Sequence, residues 1–252
     1  MILASLVAVG TSVIDYTVKL LLSSAIVFAF IAAGNSLNDY TDREVDKKAH
    51  PQRPIPAGLI APDRVLAVSG ALFGVSLVLS LFLDPLSIGI VISAIFVMLA
   101  YEARLKREGL AGNLSISWLT AALFLLGGAI VGEVERTLVF AAMAFLATLG
   151  REIVKDIEDM ESDFDRRTLP MRVGRHTAGV VGRGAFVAAV GLSPVPFIVG
   201  HFGLGYLIVV LIADAIFIYC SAVHFQNPRR GQKLAKLGMI IALVAFLVGG
   251  LL

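Results

Sequence analysis

Long uncharged runs alternate with short polar connections along almost the whole chain. Read from those runs and their flanks, the pattern predicts nine apolar helices, near 1–14, 18–38, 65–83, 85–102, 113–132, 137–152, 177–199, 203–223 and 234–252. A helix needs about 20 apolar residues to cross a bilayer, so the expected fold is all-α, a polytopic membrane protein of nine transmembrane helices. Asp84-Pro85, Gly132-Glu133 and Gly200-His201-Phe202-Gly203 mark tight turns between runs. The pairs Gly70-xxx-Gly74 and Gly128-xxx-Gly132 read as close helix packing, where small residues let backbones approach.

The polar connections add an internal order. Two are long, near 39–64 and 153–176, and they lie four predicted helices apart. That period suggests two four-helix repeats plus one helix, making a single domain over 1–252 with corresponding loops gathered over one central cavity. Of the 21 Lys and Arg, 19 fall in or beside the even-numbered connections, leaving only Lys19 and Arg136 on the other side. An excess of basic residues marks the cytoplasmic face. The expectation is therefore a multi-pass protein of the cell membrane with cytoplasmic loops and amino terminus and an outer carboxyl terminus.

Composition agrees, with 58% hydrophobic and 16% charged residues. A net charge of +2 excludes a nucleic-acid binder driven by phosphate neutralisation. Cys220, the one cysteine, excludes an internal disulfide or a cysteine-based metal site. His50, His176, His201 and His224 show no ligand spacing, and nothing in the sequence points to an obligate protein partner. The first run has neither the basic leader nor the cleavage site of a signal peptide. At 1.5 Å per residue it spans about 21 Å, against a hydrocarbon core of about 30 Å. The expectation is that the chain starts inside its first helix, a short tilted helix being the alternative.

Charge is scarce, so its clustering is informative. Of 11 Asp, 7 lie at 39–46 and 156–165. If each long connection continues the preceding helix, Asn38, Asp42 and Asp46 share one face at i, i+4, i+8, and so do Asp156, Asp159 and Asp163 at i, i+3, i+7. Stacked carboxylates at a helix carboxyl end repel one another and oppose the helix dipole. A cation is needed there. Mg²⁺ fits: it takes hard oxygen ligands and is commonly held by one or two carboxylates while substrate phosphates complete its shell. The alternative is a pair of solvated, mixed-charge helix ends.

Cations suited to a diphosphate stand beside these carboxylates. Arg53 sits in the Pro-stiffened stretch Arg53-Pro54-Ile55-Pro56, which aims its guanidinium. Lys106 follows near the end of the fourth predicted helix, where it is equally a membrane anchor. Arg151 and Lys155 are either site cations or headgroup anchors. Asp214 lies inside an apolar run, where a carboxylate is either functional or a hydrogen-bonded interior group. Tyr101, Asn113 and Trp118 either line a cavity or are ordinary interface residues.

At these residues the chain resembles the UbiA superfamily of intramembrane prenyltransferases. The resemblance rests on Asn38-xxx-Asp42-xxx-Asp46, then Arg53-Pro54-Ile55-Pro56, Tyr101…Lys106, and Asp156-xx-Asp159-xxx-Asp163. It implies Mg²⁺-dependent ionisation of a polyprenyl diphosphate whose tail lies in a lipid-open cavity, with an acceptor attacking the allylic carbon. It also implies that Asn38, Asp42, Asp46, Asp156, Asp159 and Asp163 hold the metals. Arg53, Tyr101 and Lys106 then help bind diphosphate, joined as substrate contacts by Asn38, Arg43 and Lys155. Asp42, Asp46, Asp159, Asp163, Arg53 and Lys106 form the expected catalytic set. Arg151-Glu152-Ile153-Val154-Lys155-Asp156, with Thr168-Leu169-Pro170, is similar to the archaeal branch that transfers geranylgeranyl to geranylgeranylglyceryl phosphate, a lipid-like phosphorylated acceptor, making the second ether bond of archaeal lipids. Members with aromatic acceptors are the runner-up. A cation transporter is the remote alternative, opposed by Arg53 and Lys106, which would repel the transported ion.

Overall fold

A computed structural model describes residues 1–160 and 167–252. Its helices are α1 (Ile2–Val9), α2 (Thr17–Thr41), α3 (Arg43–Ala49), α4 (Pro62–Ser80), α5 (Pro85–Ala103), α6 (Leu110–Ile130), α7 (Val134–Asp159), α8 (Leu169–Val173), α9 (Arg175–Leu192), α10 (Val195–Ile198), α11 (Leu204–Val223) and α12 (Pro228–Leu251). The described residues contain no strand. Eight stretches among them are long and apolar enough to cross a membrane. Large apolar side chains such as Val18, Phe28, Phe96 and Ile208 stand exposed on these helices. Only a lipid solvent makes so much outward apolar surface favourable. The chain is an integral membrane protein.

The predicted count of nine is not confirmed among the described residues, because the first two predicted runs, near 1–14 and 18–38, fall within one stretch. Residues 2–41 form one 40-residue apolar stretch, and its first part is the eight-residue α1 followed by 3-10 turns over Gly10–Tyr16. Gly10 causes the break: its φ of 60° lies in the left-handed region that an α-helix cannot use. The expected helix over 177–199 is likewise divided into α9 and α10, with Pro194 and Pro196 at the division.

The described residues form two compact units, Thr17–Arg104 and Met1–Tyr16 with Leu105–Leu252. In the first, α2 packs on α4 and α5 through Ala33, Leu37 and Phe73, with Phe30, Ile95 and Met98 around them. Ser69 and Ser76 of α4 donate across the interface to the carbonyls of Ala33 and Ile26, at 2.8 and 3.3 Å. Such bonds join helices where no water competes. Gly34 leaves room for Met98, whose Cε would lie 2.9 Å from an added Cβ. The end of α2 is thereby fixed beside the end of α5.

In the second unit α6, α7, α11, α12 and α1 share a core containing Phe124, Phe140, Tyr206 and Phe246. The ring of Phe140 meets that of Phe246 edge-on at 4.9 Å, a favoured aromatic geometry. Further along α7, Ile153 and Ile157 pack with Leu169 and Ala178 of α8 and α9. That contact fixes the acidic end of α7. Ser5 Oγ donates to the Gly127 carbonyl at 2.8 Å, tying α1 to α6.

The glycine pairs differ from expectation. Gly128 is a close approach, with Val134 Cα 2.8 Å from where a Cβ would stand, whereas Gly132 (φ 77°) serves the turn and touches nothing. Gly70 and Gly74 face open space.

The Asp84-Pro85 turn is a helix start. Asp84 caps α5, accepting from the Ser87 N–H at 3.0 Å and the Ser87 hydroxyl at 2.5 Å. Partial burial pushes its pKa up, but the Ser87 hydrogen bonds outweigh this and the net shift is downward. A depressed carboxylate stabilises the fold above its unfolded value and loses that contribution as pH falls through the folded one. Asp84→Ala should therefore cost about 1 kcal/mol at neutral pH. Thermal unfolding of both proteins from neutral pH down to about pH 2 should show the difference shrinking in acid.

Candidate active site at the acidic helix ends

The first acidic column is helical, as the spacing predicts. The Asp42 N–H donates to the Asn38 carbonyl at 2.9 Å, and the Asp46 N–H to the Asp42 carbonyl at 2.8 Å. Asp42, with φ −91° and ψ 2°, bends the axis between α2 and α3 without breaking that ladder. Asn38, Asp42 and Asp46 thus follow one another along one helical path.

Their side chains divide. Asn38 Nδ2 donates to Asp42 Oδ2 at 3.0 Å and to Glu102 Oε1 at 3.2 Å. Thr41 Oγ1 donates to Glu102 Oε2 at 2.7 Å. Asp46, buried at 5% exposure, takes Arg53 instead: Nη1 lies 2.6 Å from its Oδ2 and 3.9 Å from Asp39 Oδ1. Around that pair is a cavity of about 260 Å³, lined also by Pro54, Ile55 and Arg64. Tyr101 lies half-buried in the last turn of α5, beside Glu102. Arg43, at the start of α3, folds back on the end of α2, donating to the Tyr40 carbonyl at 2.7 Å with its guanidinium 4.3 Å from the Tyr40 ring centre. Exposed Glu44 is held below the usual carboxylate range chiefly by a hydrogen bond from Lys47, with the charges of Lys47 and Arg43 adding to it.

The second acidic end belongs to the other unit. Asn113 of α6, 5% exposed, donates to Asp156 Oδ2 at 3.0 Å. Asp159 is the last residue of α7, and Lys155 is half-buried one residue before Asp156. Lys106 is buried in a 3-10 turn over Leu105–Arg107. The strip after it docks on the residues beyond the second motif: the Arg167 N–H donates to the Arg107 carbonyl at 3.2 Å, and Arg172 Nη2 to Glu108 Oε2 at 2.9 Å. Arg151 pairs with Glu152. Asp163, expected to complete this column, lies outside the described residues.

Among the described residues no three acidic, histidine or cysteine side chains converge to cage a metal. Mg²⁺ does not require such a cage, since water and phosphate oxygens supply most of its shell. The donor set fits it. Asn38 spends its amide hydrogens on Asp42 and Glu102, so the oxygen is the atom left for a hard cation.

In the unit of α6 to α12, a cavity of about 350 Å³ is lined almost wholly by apolar side chains, among them Ala4, Phe124, Met143 and Phe217. Asp214 reaches its wall and accepts from Ser193 Oγ at 2.5 Å. The Tyr206 hydroxyl in turn donates to the Ser193 carbonyl at 2.7 Å, so Asp214 is a hydrogen-bonded interior group. Sequence reasoning missed Glu102 and Thr41. The available signal was an acidic residue in the last turn of an apolar helix, where the dipole opposes it.

Each unit carries acidic and basic side chains at the ends of its membrane helices, and the second also holds an apolar cavity; these features suit an intramembrane enzyme acting on an anionic, apolar-tailed substrate. Residues 1–247 match the UbiA prenyltransferase family, and the chain belongs to it. It is 40% identical over 222 residues to digeranylgeranylglyceryl phosphate synthase of Natronomonas pharaonis, covering 87% of this chain and 80% of the relative. A solved structure reported for digeranylgeranylglyceryl phosphate synthase in membranes superposes with a TM-score of 0.89 at 33% identity, over 99% of this chain and 91% of that one. A UbiA homologue from Archaeoglobus fulgidus bound to DMAPP and Mg²⁺ shares the fold, with a TM-score of 0.64 at 14% identity over 98% of this chain and 96% of that one.

Proposed function

We propose that this chain transfers a geranylgeranyl group from geranylgeranyl diphosphate to geranylgeranylglyceryl phosphate, forming the second ether bond of an archaeal membrane lipid. The observation that carries this reading is the likeness to the Natronomonas pharaonis synthase over most of both chains. In the reaction the allylic C–O bond breaks, diphosphate leaves with the electron pair, and the acceptor hydroxyl oxygen bonds to the allylic carbon and passes its proton to a carboxylate or to the departing diphosphate. Negative charge gathers on diphosphate, so cations stabilise the change. Mg²⁺, when bound, supplies most of that positive charge.

The protein's own groups do the rest. Asn38 and Asp42 in one unit, and Asp156, Asp159 and Asp163 of the second motif, would supply oxygens for Mg²⁺, with Asp46 the remaining member of the first column. Arg53 and Lys106 would add positive charge for diphosphate, and Tyr101 and Lys155 are further substrate contacts in this reading. Arg43, turned onto Tyr40, is at most a peripheral contact. Apolar walls exclude the water that would quench an allylic cation. The concentration of Lys and Arg in the long connections supports cytoplasmic active-site loops, and the single stretch after the last basic cluster puts the carboxyl terminus on the outer side.

Purified protein incubated with geranylgeranyl diphosphate, Mg²⁺ and a panel of acceptors should yield only the doubly alkylated glycerol phosphate by mass spectrometry. Prenylation of an aromatic acid instead would overturn the acceptor assignment, and cation flux in proteoliposomes without diphosphate release would overturn the enzyme reading.

A further inference from the structure

We propose that Glu102 is a positioning residue that aims Asn38 at the metal, an inference that rests on the metal-dependent reading above. Glu102 is 5% exposed and sits in the last turn of α5, where the helix's own carbonyls disfavour negative charge. A bare structural role there is better filled by an apolar residue. Donors from α2 are among the groups that hold it: Asn38 Nδ2 at 3.2 Å and Thr41 Oγ1 at 2.7 Å.

Asn38 has two amide hydrogens. One meets Glu102 and the other meets Asp42 Oδ2 at 3.0 Å. Ionised carboxylates only accept, so nitrogen, not oxygen, must face both of them. The planar amide then turns Oδ1 away from the two carboxylates. Rotated by half a turn, the same amide would oppose its oxygen to two carboxylates and present N–H groups to an incoming cation. Glu102 makes that rotation unfavourable, and the Thr41 hydroxyl keeps Glu102 in place. Groups that orient a metal ligand from behind typically change metal affinity by about 10- to 100-fold when removed.

The test uses full-length protein in detergent, with Mn²⁺ and inorganic diphosphate as probes and binding read by electron paramagnetic resonance. Glu102→Leu should weaken Mn²⁺ binding by about tenfold. Glu102→Gln, which keeps an acceptor oxygen for Asn38, should stay within about threefold. In an Asn38→Ala background, Glu102→Leu should add nothing, because the group it aims is gone. Should Glu102→Leu fail to fold, Thr41→Val removes a hydroxyl that anchors Glu102 and should weaken binding by about threefold. Wild-type affinity in Glu102→Leu, or in Thr41→Val, overturns the role given to Glu102. So does a Glu102→Gln variant as weak as Glu102→Leu, since charge rather than aim would then matter. A wild-type chain that binds no Mn²⁺ would overturn the metal reading itself.

Discussion

Replacing Asp42 or Asp159 by Asn should lower turnover by roughly a thousandfold, about 4 kcal/mol of transition-state stabilisation. Each change removes one negative charge from a helix end and keeps the shape of the side chain. Asp42 is only partly buried, and its backbone ladder to Asn38 and Asp46 does not involve the carboxylate. Asp159 is partly exposed at the last residue of α7, beyond the packing of Ile153 and Ile157. Neither variant should unfold. Diphosphate release in detergent, measured at saturating Mg²⁺ beside thermal unfolding, checks both statements. Full activity of either variant at saturating Mg²⁺ would falsify the metal role.

The parts of this molecule legible in its sequence are those governed by period. Apolar runs gave the helices because a bilayer demands length and continuity, and the i, i+4, i+8 spacing placed Asn38, Asp42 and Asp46 on one helical path because backbone hydrogen bonds repeat at that interval. Asp84-Pro85 was readable as punctuation for the same local reason. What the sequence hid depends on tertiary choice. Arg53 read as a diphosphate ligand and Asp46 as a metal ligand, yet they bond to each other. Spacing alone cannot say which of several nearby charges will pair. Glu102 is separated from Asn38 by 64 positions, and only the packing of α2 against α5 brings them together. Gly70 and Gly128 sit in identical small-residue patterns, but one faces open space and the other a helix backbone. A small residue permits close approach without causing it.

The pairing of Asp46 with Arg53 leads to the second large effect. Asp46 is buried and its Oδ2 lies 2.6 Å from Arg53 Nη1, whereas the Arg53 side chain is 43% exposed. One end of the guanidinium is thus anchored while the rest faces the cavity beside it. If the carboxylate acts by holding that guanidinium for the diphosphate, Asp46→Asn and Arg53→Ala remove the same function. Each should raise the KM for geranylgeranyl diphosphate and lower kcat/KM by roughly a hundredfold, about 2.7 kcal/mol. The double variant should then be no worse than either single one, giving a coupling of about 2 to 3 kcal/mol. Arg53→Lys should rescue little, because a point charge cannot bridge a carboxylate and a phosphate as the planar fork does. Arg53→Ala also leaves a buried carboxylate without its guanidinium partner, so it should unfold at lower temperature than Asp46→Asn, whose Arg53 stays partly solvated. Strictly additive losses in kcat/KM, with the half-saturating Mg²⁺ concentration shifted by Asp46→Asn alone, would instead make Asp46 a metal ligand in its own right.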